Sequence, residues 1–370
     1  MQSAYLEKNM IEVKESKSTK TRNMQTRASN IELLRIIAML GIILHHCVFH
    51  GQALNYVTGY NRLYTYFIII FGKVGVTIFI SITSFFLCEK KTTVNQFVRV
   101  WMQSFLYYIF LLIFSIIIRG GESISIITVL RQFLPIVGDA NWYVSNFLIF
   151  LIIIPFLNLL ISPVRRKSIF AYITLFFSVI IVVLPSLGVT TFYSDIMYFV
   201  CIYFIIVYLK DRNFIVSINY RLFFMLLFLS IITIFISEIV SGNANGWATR
   251  NYSIFTTLIG ISSFCLFSRI EVPHNRLINY LAKHTFGVFL LHTANLLRYD
   301  FIWQEIFKCD LFFTSRWYII WTLGSSFIVF SFGVVIDTLM MILIDKTINL
   351  SIFKNYINSA NAFCKKLLDS

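Results

Sequence analysis

Residues 31–51 read IELLRIIAMLGIILHHCVFHG, and this stretch decides how the rest of the chain is interpreted. It can cross a bilayer as a helix, because a spanning helix needs about 20 predominantly apolar residues. Ionisable side chains are costly in hydrocarbon and therefore face the interior of a helix bundle. This stretch nevertheless contains Glu32, Arg35, His45, His46 and His50. It therefore predicts a membrane helix with a polar stripe on one side.

The composition extends this prediction to the whole chain. Of the 370 residues, 58% are hydrophobic and 13% are charged, whereas a soluble domain has about 25% charged residues. Ten apolar segments are long enough to span, so we predict an all-α, polytopic membrane protein with about ten transmembrane helices. The ten segments are 31–50, 64–88, 97–119, 142–162, 169–188, 192–210, 222–241, 252–268, 277–297 and 317–345.

The segments between and around these spans predict a simple organisation. Residues 1–29 are polar and without periodicity, so we expect a disordered cytoplasmic tail, with Asn30 as the cap of the first helix. Residues 30–345 form one membrane domain, and residues 346–370 form a cytoplasmic interfacial tail. The apolar residues 124–137 are too few to span and are expected to be re-entrant or interfacial.

The net charge of +14 is distributed unevenly along the chain. Of the 31 Lys and Arg residues, 21 lie in alternate connecting segments and in the two ends of the chain. Cationic segments resist translocation, so both termini are expected in the cytoplasm. We expect a multi-pass protein of the plasma membrane, with the lipid bilayer and no nucleic acid as a partner. The six cysteines are scattered, without a CxxC pair, so we expect neither disulfides nor a metal site.

Arg35 and His46 share one face of the first predicted helix. They are 11 residues apart, close to three whole turns, which places them about 16 Å apart along the axis. His45 points about 80° away from that face. Glu32 lies three residues before Arg35 and can pair with it. An alternative is that the arginine snorkels and the histidines are hydrogen-bonded at a helix interface. The position of Arg35 and His46 on one helix face favours an active site instead.

Two other predicted spans contain ionisable side chains. His292 lies deep in segment 277–297, whereas Lys283 and His284 are expected near its solvated end. Lys73 is expected near the outer boundary of segment 64–88, where a lysine can snorkel to the interface. Asp337 is an intramembrane carboxylate whose partner the sequence does not identify.

Four stretches resemble the acyltransferase family 3 membrane proteins. NIELLRIIAMLGIILHHCVFHG (30–51) resembles the opening helix of the family, with its Arg and His separated by ten residues. GKVGVTIFISITSFFL (72–87), NWYVSNFLIFLIIIPFLNLLI (141–161) and NYLAKHTFGVFLLHTANLLR (279–298) resemble later helices in the same order. The leading Asn-x-Glu-Leu-Leu-Arg and later His-Gly of this chain resemble those of stand-alone members encoded with capsule and exopolysaccharide genes. One departure is that Thr83-Ser84 stands where the family has Ser-Gly.

The resemblance implies transfer of an acyl group, usually acetyl, from cytoplasmic acyl-CoA to a carbohydrate hydroxyl, with no permanently bound cofactor. In such a reaction His46 suits a general base, and Arg35 can hold a phosphate or the thioester oxygen of acyl-CoA. His292 can be a second acid or base, or can orient the acceptor. Further binding residues for the donor are expected to be Lys90, Lys91 and Arg99.

Two alternatives to an enzyme stay open from the sequence alone. A polysaccharide exporter or lipid-linked sugar flippase would also have many helices with interior charge, and so could a non-catalytic subunit of a capsule assembly machine. Direct attack and a covalent acyl-histidine intermediate are both compatible with these residues.

Overall fold

Helices form the fold throughout the part of the chain that the computed structural model describes, which comprises residues 28–119, 125–136, 138, 141–242, 247–250, 252–294 and 301–369. This part contains no strand. In chain order the α-helices are α1 (Ser29–His50), α2 (Gly59–Leu87), α3 (Val94–Arg119), α4 (Ile126–Phe133), α5 (Trp142–Ile161), α6 (Ser168–Ser186, with a π-helical turn at Val179–Val183), α7 (Asp195–Asp211), α8 (Phe214–Ser217), α9 (Tyr220–Ser241), α10 (Ile254–Phe267), α11 (Arg276–Lys283), α12 (Thr285–Thr293), α13 (Tyr318–Ile348) and α14 (Ser351–Asp369).

Seven of the described helices are long and apolar enough to cross a membrane: α1, α2, α3, α5, α6, α9 and α13. The all-helical membrane fold is therefore confirmed, but the predicted count of about ten spans is not. The predicted spans 192–210 and 252–268 correspond to α7 and α10, which have 17 and 14 residues. The predicted span 277–297 is divided at His284 into α11 and α12.

The ends of several elements differ from the sequence-based boundaries. The first helix begins at Ser29, and Asn30 is not its cap, because the Asn30 side chain donates to the Phe267 carbonyl instead (2.9 Å). The residues before 28 lie outside the described part of the chain. At the other end, α13 extends to Ile348 and a separate helix follows from Ser351. Within segment 124–137 the only described helix is the eight-residue α4, which is too short to span.

Side-chain contacts place the connecting segments at two ends of the helix bundle, which we call the Arg35 end and the His50 end of α1. At the Arg35 end Arg99 pairs with Asp345 (2.8 Å). At the same end Arg165 donates to both oxygens of Asp211 (2.6 and 2.5 Å), and this hydrogen bonding raises the pKa of the guanidinium above its usual value. At the His50 end Gln304 donates to the Gly51 carbonyl (2.9 Å).

Two central helices, α1 and α2, are buried over most of their length, whereas α6 and α9 mostly face outward. Small residues on α2 allow α1 to approach closely. A Cβ atom at Gly72 would overlap the His45 ring, and one at Gly75 would overlap Ile42. The six cysteines are free, although Cys47 on α1 and Cys309 lie 3.9 Å apart between their sulfur atoms.

The close contact at Gly72 predicts a specific loss of stability. Gly72→Ala should lower the melting temperature of the purified protein, because its methyl group forces α1 away from α2 at a cost of about 1–3 kcal/mol. Removing the ring with His45→Ala should relieve the overlap, so the double variant should recover part of the loss. Gly324→Ala is the matched control, since nothing lies within 4 Å of a Cβ there. Identical melting of Gly72→Ala and the control would contradict this contact.

Candidate active site

A cavity of about 630 Å³ runs inward from the Arg35 end of the bundle. Its wall on α1 is formed by Arg35, Met39 and Ile42, which follow one helical face. Arg99 on α3 and Lys283 on α11 add two further cationic side chains. The volume is that of a site for a small ligand or cofactor. Arg35 and Arg99 each have a carboxylate partner, Glu32 and Asp345, and Lys283 adds a further positive charge, so the cavity suits an anionic molecule.

Arg35 is anchored beside this cavity. Its Nη1 lies 3.5 Å from Oε2 of Glu32, which confirms the pairing predicted from their spacing. The Glu32 side chain is 8% exposed and the Arg35 side chain 26% exposed. The guanidinium is thus held from one side and keeps accessible surface on the cavity. A planar fork of donors in this position can bind two oxygens of a phosphate or carbonyl group.

A pair of histidines lies about one turn beyond the last residues of α1 and α12 that line the cavity, and neither histidine lines it. His46 follows Ile42 by one turn on the same face of α1, and His292 follows Phe289 by three residues on α12. The two rings approach to 5.1 Å between centroids. His50 joins them from the next turn of α1, at 4.8 Å from His46. Arg35 and His46 thus share one face of α1, and His292 on α12 meets His46 and lines a second, apolar cavity of about 440 Å³.

His292 has a defined orientation. Its Nδ1 lies 2.6 Å from the Val288 carbonyl, which can only accept, so Nδ1 carries the proton. In the neutral ring Nε2 is then a lone-pair acceptor. Nε2 is buried and has no hydrogen-bond partner among the described residues, and the same holds for Nδ1 of His46. Two adjacent buried rings with unsatisfied nitrogen atoms are suited to exchange a proton with a substrate that reaches them.

His45 lies off the face that Arg35 and His46 share, as its position on α1 predicts. Its Nδ1 contacts the Ile69 carbonyl at 2.8 Å, and its ring packs against Gly72 on α2. His45 therefore stabilises the contact of α1 with α2. Despite four neighbouring histidines, no group of three metal-ligating side chains in the described part of the chain could hold a metal ion.

Lys73 lies deeper than the sequence suggests. It occupies the middle of the 29-residue α2, and its Nζ stands 5.8 Å from the centre of the Trp142 ring. The prediction of a side chain near the outer helix boundary is therefore wrong.

The predicted donor-binding residues divide into two groups. Arg35 and Arg99 line the cavity. Lys90 and Lys91 are exposed in the connection between α2 and α3 and are not among the residues that line the cavity. Lys283, which the sequence places near a solvated helix end, is exposed and lines the cavity as well.

Comparison with known proteins identifies the family of this chain. The acyltransferase domain of acyltransferase family 3 matches residues 29–339. The chain belongs to acyltransferase family 3. It is thus a membrane acyltransferase, and the matched region contains Arg35, His46 and His292. No curated protein and no solved structure matches the chain.

Thr83 and Ser84 on α2, which stand where the family has Ser-Gly, have different positions in this acyltransferase. Thr83 donates to the Phe79 carbonyl (2.9 Å) and lines the cavity, while Ser84 is fully buried. The close approach of α1 instead depends on Gly72 and Gly75, two to three turns away. Ser84, which stands at the position of the glycine, is therefore neither on the cavity wall nor at the close contact of α1 with α2.

One polar network of this acyltransferase is not apparent from the sequence. His284 is 2% exposed rather than solvated, and its Nδ1 lies 2.7 Å from Oδ2 of Asp337. Gln103 and Tyr107 on α3 donate to the other carboxylate oxygen, at 2.7 and 2.9 Å. The only signal in the sequence is Asp337 itself, since a carboxylate inside a membrane needs partners.

Proposed function

We propose that this chain transfers an acyl group, with acetyl as the simplest case, from cytoplasmic acyl-CoA to a hydroxyl of a cell-surface or lipid-linked carbohydrate in the plasma membrane. The observation that supports this most is the cavity with Arg35, Arg99 and Lys283 at one end and the His46–His292 pair beyond the other. A polyanionic donor with a reactive end matches such a cavity, whereas a transporter does not need a base beyond it.

The donor enters at the Arg35 end in this proposal. Its phosphates interact with the cationic side chains, and its thioester reaches the inner end near Ile42 and Phe289, one turn before the two histidines. The excess of basic residues at the chain ends and alternate loops supports a cytoplasmic Arg35 end. Acyl-CoA is therefore available where the cavity opens, and the acceptor approaches the histidines from the His50 end.

The chemistry then requires one proton transfer and one exchange of bonds. The acceptor hydroxyl oxygen attacks the thioester carbon while His46 removes the hydroxyl proton. The C–O ester bond forms, the C–S bond breaks, and the thiolate of coenzyme A leaves with the proton returned by the histidine. His292, with Nδ1 held by Val288, orients the acceptor by accepting at Nε2 a hydrogen bond from a second hydroxyl of the carbohydrate.

The experiment that tests this function measures transfer of labelled acyl groups from acyl-CoA to the cell-surface glycan in membranes containing the protein. His46→Ala should abolish transfer while the protein still accumulates. His45→Ala is the matched control on the adjacent position, and it should retain transfer because its ring contacts α2. Equal loss of transfer in both variants would contradict the assignment of His46, and no transfer by the wild type from any acyl-CoA would contradict the function.

Arg35→Lys separates a role in the reaction from a role in anchoring the helix. Lysine snorkels as well as arginine but presents a point charge instead of a fork of donors. We expect a loss of about 2–4 kcal/mol of transition-state stabilisation, as for removal of an oxyanion donor, which is about a hundredfold or more in rate. Partial rescue at high acyl-CoA indicates a phosphate contact, and no rescue indicates a thioester contact. Near-normal transfer at both limiting and saturating acyl-CoA would assign Arg35 a structural role only.

A further inference from the structure

The carboxylate of Asp337 on α13 organises a polar network beside the cavity. Asp337 is fully buried, and its Oδ1 accepts hydrogen bonds from Gln103 Nε2 (2.7 Å) and Tyr107 Oη (2.9 Å). Its Oδ2 faces Nδ1 of His284 at 2.7 Å. Gly287 on α12 leaves the space for this carboxylate, because a Cβ there would overlap it. Two donors on α3 and one at the junction of α11 and α12 therefore satisfy one buried acid.

This network fixes the orientation of the Gln103 amide. A carboxylate oxygen that already receives the Tyr107 hydroxyl can only accept, so the amide must turn its NH₂ group to Asp337. The amide carbonyl then faces away from Asp337. Gln103 lines the cavity, and no described residue donates a hydrogen bond to its Oε1. The buried acid thus makes this point of the cavity wall a hydrogen-bond acceptor.

The position of Gln103 along the cavity indicates which part of a ligand it meets. Gln96, Arg99 and Gln103 lie on one face of α3 and all line the cavity. Gln103 is four residues deeper than Arg99, which corresponds to about 6 Å along the axis. It therefore lies between the cationic end of the cavity and the aromatic side chains of Tyr143 and Phe289 at the inner end.

We propose that the carbonyl of Gln103 accepts a hydrogen bond from an amide N–H of the pantetheine arm of acyl-CoA, and that Asp337 is the positioning residue that holds it in place. This inference rests on the proposed function. The donor is anionic at its nucleotide end, has a thioester at the other end, and carries two secondary amides between them. Gln103 occupies the corresponding middle part of the cavity and offers the acceptor that such an amide requires.

The competing interpretation is that the network only ties α3, α12 and α13 together. Both interpretations predict a less stable protein when the network is broken, so stability alone cannot separate them. Tyr107 provides the matched control, because it donates to the same oxygen of Asp337 but is not among the residues that line the cavity. Removing its hydroxyl perturbs the network without removing the Gln103 carbonyl.

The test compares binding of acetyl-CoA with binding of an analogue in which ester oxygens replace both pantetheine amide N–H groups. The proteins compared are the full-length wild type, Gln103→Met and Tyr107→Phe. For each protein, KM and kcat for acetyl transfer are measured as well. We expect Gln103→Met to bind acetyl-CoA about 5- to 10-fold more weakly, the loss of one hydrogen bond, with KM raised and kcat little changed. It should bind the analogue as the wild type does, and Tyr107→Phe should bind both ligands like the wild type.

Each outcome has a separate meaning. Weaker binding by Gln103→Met to acetyl-CoA and to the analogue alike, or equal weakening in Tyr107→Phe, would contradict the direct contact and leave only a structural network. Equal binding of acetyl-CoA and the analogue by the wild type would also contradict it, even if Gln103→Met does not fold. Absence of any acyl-CoA binding by the wild type would contradict the proposed function and this inference together.

The role of Asp337 is tested with Asp337→Asn. The new amide can donate to Gln103 Oε1, so the Gln103 side chain can turn its NH₂ group into the cavity. We expect this variant to raise KM for acetyl-CoA by the same factor as Gln103→Met, with kcat little changed. An unchanged KM in a folded Asp337→Asn protein would contradict the positioning role.

Discussion

The cost of polar groups in hydrocarbon constrains the whole structure. Each ionisable side chain in the spanning helices must find a partner or face a cavity, and the described helices follow this rule in different ways. Asp337 is surrounded by three donors. Arg35 is paired with Glu32 on one side and faces the cavity on the other. His46 and His292 depart from the rule, because each keeps a buried nitrogen with no partner among the described residues.

The two nitrogen atoms without a partner among the described residues can act as proton acceptors. The Val288 carbonyl holds one nitrogen of His292, the other has no partner among the described residues, and Gly72 and Gly75 let α1, which carries His46, approach α2 closely. Helix contacts and the polar network thus determine where the reactive groups lie. The acyl-transfer proposal depends on this arrangement of binding cations and proton acceptors.

The sequence was sufficient for features that lie within one helix. The shared face of Arg35 and His46, the separate direction of His45 and the pairing of Glu32 with Arg35 all follow from helical periodicity. Contacts between distant helices could not be predicted, because nothing local connects His284 with Asp337, and so His284 was wrongly expected to be solvated. Apolar content also does not determine where a helix begins. Ser194 and Ser253 cap α7 and α10, and both helices are therefore shorter than predicted.

The central claim is that acyl-CoA enters at the Arg35 end and that its acyl group is transferred at the His46–His292 pair to an acceptor from the His50 end. The most direct test is the sidedness of transfer in proteoliposomes sorted by a C-terminal tag, since α13 brings the chain back to the Arg35 end. Acyl-CoA does not cross the bilayer and is supplied to one face, and the glycan acceptor to the other. The account predicts transfer when acyl-CoA is on the face that carries the tag. Transfer only with acyl-CoA on the opposite face would contradict it.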